Sequence, residues 1–323
     1  MKTIEWGFLI VLYLFLGGLS AGLFFVSAVA TLLQRPDRPT YARIANLGAL
    51  LAPWPVMLGC LLLVFDLGRW YTSYKLFLHF RWMSPMSIGS WLLLAFILLS
   101  LVYLQAWLPA EQRERILARL PQRPRFVAAL RRGLDRDLSG WQRPLAAFGL
   151  PLAVGVGIYT GVLLGAVQAR PFWNTNLVAQ MFLFSALSTG SAALVLTLAC
   201  DRRTMQPAEL GLLYALDITF LVLEFFIVVP YIIHGQLSVQ AVQDSLKLIL
   251  GGPFTFVFWV FFLGLGLLLP LGMEIREVWP ALHSRATIHA SRWLAATTAL
   301  LVLAGGFLLR YIFVFAGQMS EFK

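Results

Sequence analysis

Long runs of apolar residues constrain the fold of this chain more than any other feature. Six runs contain no Asp, Glu, Lys, Arg or His, and each can cross the roughly 30 Å of bilayer hydrocarbon, which takes about 20 helical residues. Runs 210–233 and 293–319 also qualify, although they carry interior charges. Each run is predicted to be an α-helix, because a segment in lipid must satisfy its own backbone hydrogen bonds. The six uncharged runs are 6–33, 44–65, 82–110, 144–169, 171–200 and 248–273.

The composition agrees with an all-α integral membrane protein. The chain is 59% apolar and 12% charged, whereas soluble domains are about one quarter charged. Residues 1–323 are predicted to form a single polytopic membrane domain of two four-helix bundles. The eight predicted spans cover about residues 6–33, 44–65, 84–108, 145–168, 176–200, 210–233, 253–272 and 290–316.

The net charge of +10 is explained by topology. Most Lys and Arg residues lie in the loops after predicted spans 1, 3, 5 and 7, above all in the basic loop 111–143. The positive-inside rule makes these loops cytoplasmic and puts both termini on the outer, periplasmic side. The basic excess therefore predicts contact with membrane lipid and no nucleic-acid partner.

Histidine and cysteine placement argues against a redox metal in this protein. A membrane haem needs histidines that face into the bundle, and an iron–sulfur cluster needs a cysteine motif. Cys60 and Cys200 are far apart in sequence and are expected to be small buried apolar residues. No haem, iron–sulfur cluster or other metal is predicted. The four histidines, all in or bordering loops, are His79, His234, His283 and His289.

Three charged residues fall deep inside predicted spans, where a charge is costly and marks a candidate site. Asp217 and Glu224 are seven residues apart and therefore share one face of span 6. Arg310 in span 8 lies at a depth close to that of Glu224. Two interpretations stay open: a structural salt bridge between Glu224 and Arg310, or a proton route formed by all three.

Polar residues also gather toward the outer ends of spans 1, 2 and 4. Asp66 and Arg69, three apart at the end of span 2, form either a local ion pair or an acid at the mouth of a pocket, tuned by the arginine. Tyr13 and Tyr159 lie in the outer halves of spans 1 and 4. Each phenol alone is typical of packing, but together with Asp66 they are suited to bind a quinone.

The outward loops combine aromatic with basic residues. Arg81, Arg170 and Trp173 belong either to an interfacial belt or to a docking surface for an acidic soluble subunit. The three loops concerned are 66–87, 170–176 and 234–253.

A short repeat relates spans 1 and 5. Residues 18–22 (GLSAG) resemble residues 186–190 (ALSTG), and both spans run inward from the outer side. The repeat would suit two parallel four-helix halves. Close packing through small residues explains it equally well.

Segments from the first span to the last make the chain resemble the NrfD / polysulfide reductase membrane-subunit family. Their order and placement carry the resemblance, which covers essentially the whole sequence. The segments are 13–22, 66–69, 83–87 with Gly89 and Trp91, 159–165, 170–174, 185–190, 310–311 and 316–318.

The resemblance implies a haem-free subunit of the bacterial or archaeal cytoplasmic membrane that binds menaquinol or ubiquinol near the outer face. It also implies a soluble iron–sulfur subunit docked there, linked to a catalytic subunit that is often a molybdopterin enzyme. Tyr13, Asp66 and Tyr159 match the family pocket, although polysulfide reductases resemble each other in having histidine at the position of Tyr13.

Two functional hypotheses follow. In the first, the protein exchanges electrons between the quinone pool and the iron–sulfur subunit, with Asp66 and Arg69 handling the proton, and Asp217 and Glu224 make turnover electrogenic if they reach the cytoplasm. In the second, the protein is a proton-coupled secondary transporter that uses the charged faces of spans 6 and 8. The terminal substrate belongs to the partners.

Overall fold

A computed structural model confirms the prediction of an all-helical membrane protein. The part of the sequence that it describes contains eight helices long and apolar enough to cross a bilayer. The described residues are 6–34, 40–66, 81, 83–119, 136–201, 205–284 and 291–320. The eight spans, numbered 1 to 8 below, are Phe8–Leu33, Ala42–Phe65, Pro85–Trp107, Ser139–Gly165, Leu177–Cys200, Pro207–Leu237, Val257–Pro280 and Arg292–Met319.

Two spans depart from a single regular helix. Span 2 consists of the helices Ala42–Leu51 and Pro53–Asp66, which meet at a proline that lacks the amide hydrogen a continuous helix needs. Span 7 begins as the π-helix Val257–Leu268 and continues as the α-helix Leu269–Ser284. Its extent brings Glu274 inside the membrane domain, although the predicted span ended at residue 272.

The segments between spans add short helices. Ala110–Arg119 and the 3₁₀ turn Ser139–Trp141 lie within or beside the predicted loop 111–143. The prediction of a loop over 234–253 is wrong, because span 6 continues to Leu237 and a helix follows over Gln240–Leu250. This helix was missed because its amphipathic sequence is short and is followed by a Gly-Gly-Pro turn.

The two ends of the bundle are distinguished by the contacts of the terminal segments. The backbone amide of Trp6 donates to Oε1 of Gln318 at 2.7 Å, and Nε2 of Gln318 donates to the carbonyl of Trp6 at 3.0 Å. Both termini therefore lie at one end, called the termini end below. At the opposite end, Arg43 forms ion pairs with Asp201 and Glu209.

Spans 1 and 5 cross at the two repeated segments. A Cβ added at Gly22 would overlap the carbonyl oxygen of Ala186, and one added at Gly190 would overlap the backbone of Gly22. Only glycine allows the backbones this close, as in other small-residue helix crossings in lipid. The crossing supports the packing explanation of the repeat and joins span 1 to span 5, whose neighbours include spans 6 and 8.

Candidate functional site

Tyr13 and Tyr159 come together near the termini end, as their positions in spans 1 and 4 predict. Both are buried, with exposed fractions of 1% and 8%. Their hydroxyl groups are neighbours, and the Cys60 thiol of span 2 lies near both of them. Three spans therefore place polar groups at one point about one and a half helical turns inside the bundle.

Glycine creates the space that these rings occupy. A Cβ added at Gly89 of span 3 would overlap the end of the Tyr159 ring, including its hydroxyl. A Cβ at Gly59 of span 2 would lie 3.4 Å from Cδ2 of Tyr13. Spans 2 and 3 thus approach the tyrosine pair through positions without side chains, and Gly89 in particular fixes where Tyr159 can lie.

The Tyr13 hydroxyl has no hydrogen-bond partner within the described part of the sequence. Two other buried tyrosines are satisfied: the Tyr103 hydroxyl lies 2.5 Å from Oγ1 of Thr31, and Tyr231 donates to the carbonyl of Phe172 at 2.9 Å. A buried polar atom without a partner costs about 1–3 kcal/mol, so this hydroxyl is a candidate contact for a ligand.

Asp66 is the last residue of the helix that forms the second part of span 2. Its backbone therefore ends at the termini end, on the same side of the bundle as Tyr13 and Tyr159. The side chain of Asp66 and the whole of Arg69 lie outside the described residues, so the predicted contact between them stays a prediction.

Arg310 is fully buried where spans 1, 5 and 8 meet. Its Nη1 donates to Oγ of Ser185 at 2.7 Å and to the carbonyl of Gly306 at 2.6 Å, and its Nη2 donates to the carbonyl of Phe182 at 3.3 Å. A Cβ at Gly18 would lie 2.9 Å from Nη2. The first glycine of the GLSAG segment therefore makes room for the guanidinium group.

Glu224 lies beside Arg310, at the common depth that the sequence predicts for the two residues. Its carboxyl group lies near the guanidinium group of Arg310 and the hydroxyl groups of Ser185 and Ser188. The salt bridge, one of the two interpretations that the sequence leaves open, is not formed at contact distance, since the ion pairs found among the described residues do not include Glu224 with Arg310. Ser185, which accepts from Arg310, also lies near the Glu224 carboxyl group.

Asp217 has a partner that sequence reasoning missed. Its carboxyl group lies next to that of Glu274 in span 7, and both side chains are buried. Glu274 directly follows the apolar run that ended at Met273, so it was assigned to the loop. Extending that run by one turn would have found a carboxylate at membrane depth.

The predicted docking residues differ in exposure. Arg81 is exposed beside the first turn of span 3. Arg170 is partly buried, and its Nη1 donates to the carbonyls of Gln318 and Ser320 at 2.7 and 2.8 Å. Trp173 is only 1% exposed and donates through Nε1 to the carbonyl of Phe313 at 2.6 Å, so its indole does not belong to an exposed docking surface.

A small cavity of about 260 Å³, including its solvent-open space, also lies at the termini end. It is bounded by the segment after span 4, the end of span 6 and the helix Gln240–Leu250. Neither tyrosine of the pair lines it. Its walls include Phe172, Asn174, Tyr231, His234, Val242 and Leu246.

Comparisons with known proteins cover nearly the whole sequence. A family model described as polysulphide reductase, NrfD, matches residues 1–321. The chain is 32% identical to Protein NrfD of Escherichia coli (strain K12) over 321 residues, which are 99% of this chain and 96% of that protein.

Two further relatives have names that designate one part of an assembly. A polysulfide reductase chain of Wolinella succinogenes is 29% identical over 98% of this protein and 95% of its own length. A selenate reductase subunit of Mesobacillus selenatarsenatis is 29% identical over 83% of this protein and 66% of its own length. The similarity therefore includes the spans that carry the tyrosine pair and the buried charges.

Proposed function

Because this chain belongs to the polysulphide reductase NrfD family, we propose that it is the quinone-binding membrane subunit of a respiratory oxidoreductase. In this role it binds menaquinol or ubiquinol at the tyrosine pair and exchanges electrons with an iron–sulfur subunit at the termini end. Relatives named as a chain or subunit of polysulfide and selenate reductases support the multi-subunit part of the proposal.

The observation that carries the proposal is the partnerless hydroxyl of Tyr13 beside Tyr159. A quinone ring presents two oxygen atoms, and phenol hydroxyls are donors of suitable strength. The surrounding positions Gly59, Cys60 and Gly89 leave an apolar environment in which a donor is worth more than in water. The residues present therefore fit a quinone.

The protein would contribute position, hydrogen bonds and proton exchange, while a bound quinol supplies the electrons. Tyr13 and Tyr159 would orient the ring by donating to its oxygens. Asp66 at the end of span 2 would take or give protons near the membrane surface, with Arg69 holding its carboxylate. Asp66→Asn should then reduce turnover more than it reduces binding of a quinone-site inhibitor.

The buried charges would form a proton route between the two ends of the bundle. Arg310 and Glu224 lie near the middle of spans 8 and 6, and Asp217 lies two turns closer to the opposite end. An ionisable group at this depth is costly and is typical of proton relays. If the route conducts, quinol turnover is electrogenic.

The partner would dock at the termini end, where Arg81 is exposed and Arg170 lies beside the last residues of span 8. We place this end on the periplasmic side of a bacterial or archaeal inner membrane, because the basic loops lie at the opposite end. The partner is then an iron–sulfur protein with an acidic face, which links the membrane subunit to a catalytic molybdopterin subunit.

Tyr159→Phe tests the quinone site. The variant should assemble normally and lose at least about tenfold in quinol turnover, since one positioned donor contributes on the order of 1.4 kcal/mol or more. Tyr103→Phe is the matched control: its hydroxyl contacts Ser27 and Thr31 in the other half of the bundle, so turnover should persist. Normal turnover in Tyr159→Phe would remove this tyrosine from the mechanism.

Purification of the tagged protein in mild detergent tests the partner. We expect a copurifying protein with iron and acid-labile sulfide. Arg81→Glu should weaken this association, while Arg115→Glu, an exposed position in the helix at the opposite end, should not. A solitary polypeptide that catalyses solute counterflow would instead support the transporter hypothesis.

A further inference from the structure

Asp217 and Glu274 form a buried acidic pair without a hydrogen-bond donor. The two carboxyl groups lie next to each other across spans 6 and 7, with exposed fractions of 0% and 2%. Within the described part of the sequence, no donor reaches either oxygen of Asp217 or Oε2 of Glu274. Ionised carboxylates only accept hydrogen bonds, so two of them cannot satisfy each other.

In a second acidic pair of the same protein, a cation compensates the two carboxylates. Asp201 and Glu209 lie at the opposite end, and Arg43 approaches them at 2.8 and 3.4 Å. Glu209 is as deeply buried as Glu274. The pair of Asp201 and Glu209 thus has an arginine, and its Asp201 is also 37% exposed, whereas Asp217 is fully buried. The pair in spans 6 and 7 therefore needs another source of positive charge.

The groups around the pair do not supply one. Glu224 lies near Asp217 and is itself an acid. Tyr214 lies near Asp217, Glu274 and Glu277 and carries no positive charge. Arg276 lies near Glu277, and Arg310 donates its hydrogen bonds to spans 5 and 8. A hard cation would need about six oxygen ligands, whereas the described residues contain no group of three or more His, Cys, Asp or Glu side chains that could hold a metal ion.

We propose that Asp217 and Glu274 bind one proton between them and form a proton-binding site. A shared proton turns one carboxyl group into the donor that the other lacks, as in other carboxyl pairs that cannot both ionise. Tyr214 precedes Asp217 by one turn in span 6, and Glu277 follows Glu274 by one turn in span 7. Both lie between the pair and the opposite end of the bundle.

This site deepens the proton route of the proposed function by adding Glu274 to it. Its existence does not depend on quinone binding, because the shared proton is a property of two side chains in the resting protein. A failure of the quinone proposal would therefore leave this site standing, and the reverse also holds.

Infrared difference spectroscopy of the purified full-length protein tests the proposal. A protonated carboxyl group has a carbonyl stretching band that shifts on exchange into D₂O. We expect Asp217→Asn to keep one protonated carboxyl group, that of Glu274, because a single buried carboxyl group stays neutral when no positive charge compensates it. Its band should keep its intensity and shift in frequency, since its partner is now an amide. Glu274→Gln should shift the band of Asp217 in the same way, and only the double variant should remove it.

Glu209→Gln is the matched control, because its carboxylate already has Arg43 and should contribute no such band. Additive partial losses in the two single variants would show two separately held protons and overturn the sharing. An unchanged spectrum in both variants would overturn the site itself. If Asp217→Asn does not accumulate, Glu274→Gln alone decides, since it must shift the band without reducing its intensity.

Discussion

The tyrosine pair and the buried charges are two polar regions of one bundle that satisfy their atoms in different ways. At the termini end, the neutral hydroxyl of Tyr13 has no partner among the described residues. In the middle of the bundle, Arg310 donates three hydrogen bonds to spans 5 and 8. An unpaired hydroxyl costs about 1–3 kcal/mol, whereas an unpaired buried charge costs several.

This difference indicates which region is suited to exchange a ligand. A neutral donor can stay unpaired between ligands at a small cost in free energy, so the tyrosine pair can bind and release a quinone. The charged region must stay compensated at all times, either by backbone carbonyls, as for Arg310, or by a proton, as we propose for Asp217 and Glu274. The first region is therefore suited to hold a substrate, and the second is suited to carry protons.

The largest expected effect comes from the crossing that holds both regions. Gly22→Ala places a Cβ against the carbonyl of Ala186, and overpacking of this kind costs about 1–3 kcal/mol or more. We expect loss of folded protein, measured as yield and thermal stability in detergent. Gly272→Ala is the control, since a Cβ there meets nothing within 4 Å. Normal stability of Gly22→Ala would show that the two regions do not depend on this crossing.

Gly89→Ala should selectively weaken ligand binding at the tyrosine pair. The added methyl group occupies the place of the Tyr159 ring, so the ring must move while its hydroxyl is retained. Affinity for a quinone-site inhibitor should fall by at least about tenfold, or 1.4 kcal/mol. Gly155→Ala is the control, because its Cβ would meet the flexible side chain of Leu92 at 3.3 Å. Equal affinities in both variants would contradict the assigned position of the site.

Glu224→Gln should affect the buried charges and leave the tyrosine pair almost unchanged. Quinol turnover should fall by less than about tenfold, because Glu224 does not touch the ring, whereas groups that transfer the reacting proton contribute about 10²–10⁴-fold. The membrane potential generated per quinol in proteoliposomes should fall if the route conducts. An unchanged potential would exclude Glu224 as a proton carrier.

The smallest expected effect is that of Ser185→Ala. Arg310 loses one acceptor but keeps the carbonyls of Gly306 and Phe182, so the cost should be about 1 kcal/mol in thermal or denaturant stability. Ser191→Ala in the same span is the control, because its hydroxyl bonds to Leu187 of its own helix. A loss as large as that of Gly22→Ala would show that Ser185 does more than accept this bond.

Much of this arrangement follows from the sequence because hydrophobicity and helix geometry act locally. Apolar runs predict the eight spans, and span direction predicts that Tyr13 and Tyr159 share one end. The spacing of Asp217 and Glu224 predicts their common face. The common depth of Glu224 and Arg310 follows from their positions along spans 6 and 8.

Contacts across helices could not be predicted in the same way, because they depend on how each helix is rotated. The approach of Gly89 to Tyr159 and that of Glu274 to Asp217 are such contacts. Trp173 shows the same limit: an aromatic residue beside a loop indicates a surface, but its indole packs on Trp6 and bonds to Phe313. Cys200 was expected to be buried and is exposed at the end of span 5.

Photolabelling with an azidoquinone tests the central claim most directly. After illumination of the purified complex in lipid, we predict labelled peptides from spans 1 and 4 around Tyr13 and Tyr159, with less label in Gly89→Ala. Label confined to spans 6 to 8, or label that Gly89→Ala does not reduce, would contradict the account.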